Sequence, residues 1–350
     1  MSFKDVIEDL VYDKGLDQAK VLEIVTHGLA VAYKAKYPTY NFKVVLSKDM
    51  EAEFEVFAKK QVADEIVNPD VQINLKKALG INSAAKIDSE VLVPFAGSLG
   101  RVDILVARGA ISEAIKRLEQ DHVYQIFSKR VGELVTGTLH KQEFSGCAIN
   151  LGEVIAFLPK SCTPPLNANS GAPIKAIIRE VLQYTSKGYQ VILDRASANY
   201  VAKIFELEIP EVFEGIVEIV KAERICGYKT KILVRSKAKN IDPVGSFVGI
   251  AGSRIKPILA ELGTERIDLI PWTDDREALL RKSLKPGEVR RVSFSQDYSS
   301  ADVWVAPEEK PLIIGKNGGN INLASRIMGL HIRVNDEDVL TQENSQEGGD

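Results

Sequence analysis

Near its C-terminus the chain reads Ile313-Ile314-Gly315-Lys316-Asn317-Gly318-Gly319-Asn320-Ile321. Two apolar residues lead into a Gly-x-x-Gly turn, and apolar residues then recur at helical spacing as far as Met328. From Leu330 to Asn335 apolar and polar residues alternate, which is typical of a strand. Glycines allow a phosphate to approach the backbone, and a following helix directs its free N–H groups there. The pattern therefore predicts a phosphate-binding loop between helices, beside a sheet.

The same layout occurs 66 residues earlier, in the stretch from Phe247 to Ile255, so the sequence predicts two copies of one module. A module of this kind clamps about four nucleotides of a single strand. We expect RNA contacts from both turns: Gly249, Ile250, Ala251, Gly252, Ser253 and Arg254 in the first, and Gly315, Lys316, Asn317 and Gly318 in the second. Pro257 is expected within the first helical turn after the first loop. A third match, Gly97–Gly100, lacks these flanks and is interpreted as an ordinary turn.

The net charge is −3, but the charge is unevenly distributed along the chain. Residues 1–128 hold 16 basic and 19 acidic residues, residues 129–335 hold 29 and 23, and residues 336–350 hold none and 6. Between Arg224 and Lys256 eight basic residues accompany only Asp242. Such a local field attracts a polyanion, so we expect a nucleic-acid partner.

Basic residues occupy the odd positions of a predicted strand before the first loop: Lys229, Lys231, Arg235, Lys237 and Lys239. A strand places alternate side chains on one face, so these cations should lie together. This face is either solvated or in contact with RNA. Beside a phosphate-binding loop we favour RNA contact, and each contact should add salt dependence to binding.

The first region has helical character over Phe3–Leu10 and Ala19–Tyr37, and Pro38 should end the second helix. Alternation around Val44 and Val56 predicts an antiparallel pair. The pair would place Glu51, Glu53 and Glu55 on one face, which is either solvated or a docking surface for a basic partner. A long helix is predicted from Asp103 to Val131.

Short β-rich runs separated by Gly, Pro and Asn clusters occupy residues 132–194 and predict a small five-stranded barrel. The stretch from Thr163 to Gly171 has no periodicity and should be a loop. Phe144, Phe157 and Tyr184 could stack on bases, but we interpret them as core aromatic residues.

Several classes of protein find no support in the sequence. No apolar run approaches the roughly 18 residues of a membrane span, and the N-terminus lacks a signal-peptide pattern, which predicts a cytoplasmic protein. Three cysteines without paired or metal-ligand spacing predict reduced packing residues. Four scattered histidines and the absence of a Gly-x-x-x-x-Gly-Lys-Ser/Thr loop predict no metal, no cofactor and no enzymatic activity.

Four phrases carry a resemblance to the NusA family of bacterial transcription factors. They begin at Phe205, Asn240, Gly263 and Ile314, and read FELEIPEV, NIDPVG, GTERIDLIPW and IGKNGGNINLAS. The resemblance covers nearly the whole chain. It implies a multidomain α+β protein: an α/β N-terminal domain with a long connecting helix, a five-stranded OB-type barrel and two tandem type II KH domains.

The implied domains are residues 1–130 for polymerase binding, 131–196 for the barrel, 197–276 and 277–345 for the KH domains, and an acidic tail at 346–350. Arg195 matches a basic position of the family, which implies RNA contact. The implied partners are RNA polymerase, single-stranded nascent RNA and other antitermination factors, and we expect a monomer without membrane association. The implied function is modulation of pausing, termination and antitermination. A ribosome-associated tandem-KH RNA-binding protein is the alternative.

Overall fold

The computed structural model describes residues 16–46, 54–165, 168–185 and 188–336. The chain divides into two compact units: the first extends to Ile126 and includes a short segment beginning at Gln183, and the second begins at Phe127. The predicted helix at Phe3–Leu10, the residues Glu51 and Glu53, and the acidic tail lie outside the described residues.

The first unit is an α/β domain with a four-stranded sheet. Its elements are α1 (Gln18–Lys36), β1 (Asn41–Leu46), β2 (Phe54–Ala63), β3 (Gln72–Asn74), α2 (Leu75–Ile81), β4 (Glu90–Pro94) and α3 (Arg101–Phe127). Strand β1 pairs antiparallel with β2, with Val44 opposite Val56, which confirms the predicted pair. Strand β2 also pairs with β3 in parallel and with β4 antiparallel.

Local chemistry sets the limits of the helices in this unit. The Asp17 carboxylate caps α1 by accepting from the N–H groups of Ala19 and Lys20 at 2.8 and 3.1 Å. Helix α1 ends at Lys36, and its C-cap Tyr37 lies immediately before Pro38, as predicted. Leu16 and Val21 are buried against Ile115 and Leu118, so the two long helices share an apolar core. The predicted helix from Asp103 is therefore present as α3.

The second unit begins with a closed five-stranded barrel, as predicted. Its strands are β5 (Leu134–Glu143), β6 (Gly146–Asn150), β7 (Ile155–Pro159), β8 (Pro173–Val181) and β9 (Val191–Asp194), and they follow one another around the barrel in the order β5-β6-β7-β9-β8. Leu139 on β5, Ile149 on β6, Leu158 on β7 and Ile178 on β8 are buried, as expected of side chains that face the interior of a closed barrel.

Two modules of one design follow the barrel. The first consists of α4 (Ala198–Glu208), α5 (Pro210–Phe213), β10 (Val217–Ile225), β11 (Lys229–Ser236), α6 (Pro243–Val248), α7 (Ile255–Leu262) and β12 (Arg266–Pro271). The second consists of α8 (Arg276–Ser283), β13 (Arg291–Phe294), β14 (Ser300–Val305), α9 (Lys310–Ile314), α10 (Gly319–Met328) and β15 (His331–Asp336). In each, the middle strand pairs antiparallel with the strand before it and parallel with the last strand.

The modules have separate cores and a shared apolar contact. The first core contains Phe205 and Phe247, and the second contains Leu280 and Ile313. Between them lies a smaller buried cluster that takes Leu233 and Ile270 from the first module and Leu279 and Ile327 from the second. The second module therefore covers the part of the odd-numbered face of β11 that carries Leu233. Lys229 and Lys231 lie on the same face and are buried.

Candidate nucleic-acid interface

The first Gly-x-x-Gly turn joins α6 to α7. Asp242 caps α6 by accepting from the N–H groups of Val244 and Gly245. The helix ends at Gly249, where φ is 72° and ψ is 171°, a conformation that favours glycine. Ala251 then adopts a left-handed conformation with φ of 52° and ψ of 26°. Pro257 lies in the first turn of α7, as predicted, where it displaces no essential helical hydrogen bond.

The second turn, between α9 and α10, repeats this backbone. Gly315 has φ of 72° and ψ of 177°, and Asn317 has φ of 53° and ψ of 31°. Gly318 follows at a φ of 72°, close to the 77° of Gly252. The predicted duplication therefore extends to the individual dihedral angles of the two turns.

Both turns leave backbone donors unused. Across the part of the chain that the structure describes, no hydrogen bond uses the N–H groups of Ile250 and Ala251, or those of Lys316 and Asn317. These groups precede a helix, whose N-terminus carries a partial positive charge. Each turn can therefore bind an anionic oxygen through its backbone alone.

The side chains around the first turn offer less charge than the sequence suggests. Ile250 is 91% exposed and apolar. Arg254, predicted to bind phosphate, instead directs Nη1 to both carboxylate oxygens of Glu211 and to the carbonyl of Ser246, all at 2.9 Å. The pKa of Glu211 is lowered, first by its own backbone N–H and then by Arg254. Arg254 therefore connects the turn to Glu211 on α5 and to Ser246 on α6.

Lys256 is a basic residue at the first turn that was not among the RNA contacts expected from the sequence. It is exposed in the first turn of α7, and its Cε would lie 3.4 Å from a Cβ placed on Gly252. It makes no ion pair with any residue that the structure describes. A lysine four residues after the second glycine was the available sequence signal, because that spacing brings a helical side chain back toward the loop.

Lys229 and Lys231 are not available at the surface. Their side chains are 8% and 0% exposed, and both bind the Asp268 carboxylate, at 2.9 and 2.7 Å. Lys229 also donates to Asn320 of the second module, and Lys231 to the carbonyl of Lys285, each at 3.3 Å. Burial lowers the pKa of Lys231, and Asp268 opposes this effect. The expected cationic face exists, but the second module covers this part of it.

The remaining basic positions of this stretch are exposed. Arg235 donates to Glu218 at 2.6 Å and lies over the ring of Trp272, 5.5 Å from its centroid. Lys237 forms an ion pair with the same carboxylate at 3.3 Å, and Lys239 lies in the exposed turn beyond β11. The hydrogen bond from Arg235 lowers the pKa of Glu218. These three cations form a basic rim on the first module.

Arg195 is buried and paired with other residues of the protein. Its side chain is 6% exposed, pairs with Glu261 at 2.8 Å, and donates to the carbonyl of Lys175 at 2.7 Å. Tyr200 donates to the same Glu261 carboxylate at 2.8 Å. Arg195 thus joins the end of the barrel to α7 of the first module, and its side chain is buried there.

The aromatic residues of the barrel region differ from our interpretation of them as core. Phe144 is 96% exposed, with the Lys160 ammonium 5.1 Å from its ring centroid. Phe157 stacks on Tyr189 with centroids 5.2 Å apart and is only half-buried. Tyr184 belongs to the first unit, is 55% exposed, and donates to Asp121 at 3.0 Å. None of the three rings is fully buried, so the interpretation of them as core residues is wrong.

Within the described ranges there is no group of three or more His, Cys, Asp or Glu residues placed to hold a metal ion. None of the helices within these ranges is long and apolar enough to cross a membrane. Cys147 and Cys162 are buried, Cys226 is half-buried, and all three are free thiols.

The helix and strand order α-β-β-α-α-β, with a Gly-x-x-Gly turn between the last two helices, defines a KH module. The second unit is therefore an OB-type barrel followed by two type II KH domains. Family models agree: a NusA N-terminal domain matches residues 2–121, a NusA-like first KH domain 195–272, and a NusA-like second KH domain 276–342.

The chain belongs to the NusA family. It is 30% identical to the transcription termination/antitermination protein NusA of Halalkalibacterium halodurans, over 96% of this chain and 88% of that protein. The proteins of the same name from Rickettsia conorii and Bacillus subtilis are 30% and 29% identical. These matches cover 97% and 95% of this chain, and 67% and 90% of the relatives.

Proposed function

We propose that this chain is an RNA-binding transcription elongation factor that acts in termination and antitermination and modulates pausing. In this proposal the KH domains bind nascent single-stranded RNA, and the N-terminal domain binds RNA polymerase. The relatives above are named as termination/antitermination proteins, which supports the role in transcription. The protein would act in the cytoplasm as a monomer, together with other antitermination factors.

The observation that carries the RNA-binding part is the pair of Gly-x-x-Gly turns with free N–H groups. We propose that RNA contacts Gly249–Ser253 and Gly315–Gly318, with the exposed rim formed by Arg235, Lys237 and Lys239. Lys256 joins this surface because its side chain lies beside Gly252. Lys229, Lys231 and Arg195 are left out because they are buried and paired.

For polymerase binding we propose residues 1–130, which include the whole match to the NusA N-terminal domain. The further domain limits proposed are 131–196 for the barrel, 197–276 and 277–345 for the KH domains, and 346–350 for the tail. Order along the chain and the family matches support this division. Four strands and two long helices give residues 1–130 an apolar core of their own.

Two measurements on the purified full chain test the proposal. Mixed with core RNA polymerase, the chain should co-elute from a sizing column. A fluorescent, unstructured RNA should bind with an affinity that falls linearly on a log–log plot against salt concentration. A chain starting at residue 131, with its fold checked by circular dichroism, should lose polymerase binding and keep RNA binding.

Two results would contradict the proposed function. Recovery of ribosomal subunits without polymerase, when the tagged chain is purified from a bacterial lysate, would favour the ribosome-associated alternative. Failure of the full chain to bind unstructured RNA would remove the RNA-binding part. Since polymerase and RNA are assigned to different parts of the chain, each part of the proposal can fail alone.

A further inference from the structure

The hairpin turn of the first KH domain reaches the phosphate loop of the second. This turn, Cys226-Gly227-Tyr228, joins β10 to β11. A Cβ placed on Gly315 would lie 3.2 Å from the Tyr228 hydroxyl oxygen, and one placed on Gly319 would lie 2.5 Å from Cε1 of its ring. Tyr228 therefore lies directly against both ends of the second turn.

This contact explains a glycine that the loop chemistry does not require. Gly319 has helical dihedral angles, with φ of −62° and ψ of −38°, which any residue can adopt. The corresponding position of the first loop is Ser253, which also has helical angles and is exposed. At position 319 a side chain would collide with the Tyr228 ring, so this glycine makes room for a residue of the other domain.

The Tyr228 hydroxyl is a donor without a protein partner. The residue is half-buried, and nowhere in the described ranges does another group hydrogen-bond to its side chain. Its hydroxyl lies beside Gly315, immediately before the free N–H groups of Lys316 and Asn317. A phenolic O–H can donate to a phosphate oxygen as a backbone N–H does.

The network around Asn320 holds this turn in a fixed position against the second loop. Asn320 is 1% exposed and donates to the carbonyls of Ile313 and Leu284 at 3.1 Å, while its side-chain oxygen accepts from Lys229 at 3.3 Å. Lys229 follows Tyr228 directly in the chain. The donor and the loop are thus fixed to one another across the domain boundary, which avoids an ordering cost on binding.

We propose that the second phosphate site is composite: Tyr228 of the first KH domain donates its hydroxyl to the RNA backbone held by Gly315–Gly318. The inference rests on the proposed RNA-binding function and deepens it. At the first loop, the three atoms nearest to a Cβ placed on Gly249 belong to Arg254 and Ser253, which are residues of the same domain.

The test is Tyr228→Phe in the full chain, which removes the hydroxyl and keeps the ring against Gly319. Affinity for an unstructured single-stranded RNA should fall about tenfold, the effect of losing one hydrogen bond to a charged group. The slope of log affinity against log salt should stay unchanged, since no cation is removed. The matched control is Tyr298→Phe, in the corresponding turn of the second domain, where the ring contacts Phe294 and Arg276 and should not affect binding.

Each outcome separates this inference from the proposed function. If the unmodified chain binds RNA and Tyr228→Phe binds it equally well, the composite site is wrong and RNA binding stands. The composite site is also wrong if only Tyr228→Ala weakens binding, because the ring would then serve packing alone. If the unmodified chain does not bind the RNA, the proposed function itself fails.

Discussion

The two Gly-x-x-Gly turns have the same backbone conformation but differ in their inner side chains and in the residues that contact them. Both begin with a glycine at a φ of 72°, followed two residues later by a left-handed residue. The first then presents Ile250 and Ala251, whereas the second presents Lys316 and Asn317. The first is held by its own Arg254, and the second is contacted by Tyr228 of the other domain. The two turns thus share one backbone conformation and differ in their side chains and in the residues that contact them.

This difference ranks the turns as RNA sites. Lys316 adds a full charge within the second turn, whereas the first turn relies on free N–H groups and the adjacent Lys256. A cation that contacts phosphate also releases counterions on binding. We therefore expect the second turn to contribute more of the affinity for RNA and more of its salt dependence.

The largest expected effect comes from an opposing charge in the second turn. Gly318→Asp should weaken RNA binding by about 3 kcal/mol, roughly a hundredfold, because a carboxylate then faces the phosphate. Gly252→Asp should weaken it less. Position 318 is preferable to 315, where a Cβ would lie 2.7 Å from Cβ of Asn320, whereas at 318 the nearest atom is 3.4 Å away.

Asparagine at the same two positions provides the control for shape. Asn tolerates the left-handed conformation of Gly318 better than most residues, and it carries no charge. Gly318→Asn should therefore retain most of the affinity, as measured by fluorescence anisotropy. Equal losses from Gly252→Asp and Gly318→Asp would show that the two turns are equivalent and contradict the ranking.

A smaller effect is expected from exchanging the side chains that distinguish the turns. Lys316→Ala should reduce RNA affinity by about 1 kcal/mol and lower the magnitude of the salt slope by about 0.7, the value for one phosphate contact on a single strand. Ile250→Lys should change both quantities in the opposite direction, because Ile250 is exposed and its replacement needs no repacking. Titrations at several salt concentrations measure both. If neither variant changes the slope of log affinity against log salt, the side chain at this position of the turn does not contact phosphate.

The smallest effect on RNA binding is expected when a buried lysine and an exposed lysine of the same stretch are replaced in turn. Lys231→Met should leave the RNA affinity and salt slope unchanged, since Lys231 is fully buried and Lys229 still neutralises Asp268. Lys237→Ala, at an exposed position, should lower the slope by up to about 0.7. A reduced slope in a folded Lys231→Met variant would mean that the domain contact opens when RNA binds.

Much of the fold was predictable because its signals are local. Proline after Tyr37 ends α1, alternation around Val44 and Val56 marks a hairpin, and Gly-x-x-Gly with periodic flanks marks each KH loop. Each signal acts within a few residues of the chain, through backbone sterics and side-chain periodicity. The same locality made the two turns and their free N–H groups accessible to prediction.

The surroundings of residues whose partners are distant in sequence could not be predicted from the sequence. Lys229 meets Asn320, and Arg195 meets Glu261, at separations that no periodic pattern records. Alternation correctly placed the lysines of β11 on one face but gave no information on what covers that face. Phe144 shows the converse case: we expected this aromatic residue in a core, but it is 96% exposed.

The sequence by itself determined that this chain carries two Gly-x-x-Gly turns in duplicated KH modules, which follow an α/β N-terminal region and a barrel along the chain. It did so because turn sterics and periodicity are properties of short segments. Tertiary structure alone decided which cations reach solvent, and why Gly319 is a glycine. Both depend on the packing of one KH domain against the other, where Tyr228 and Lys229 meet residues about 90 positions away in the chain.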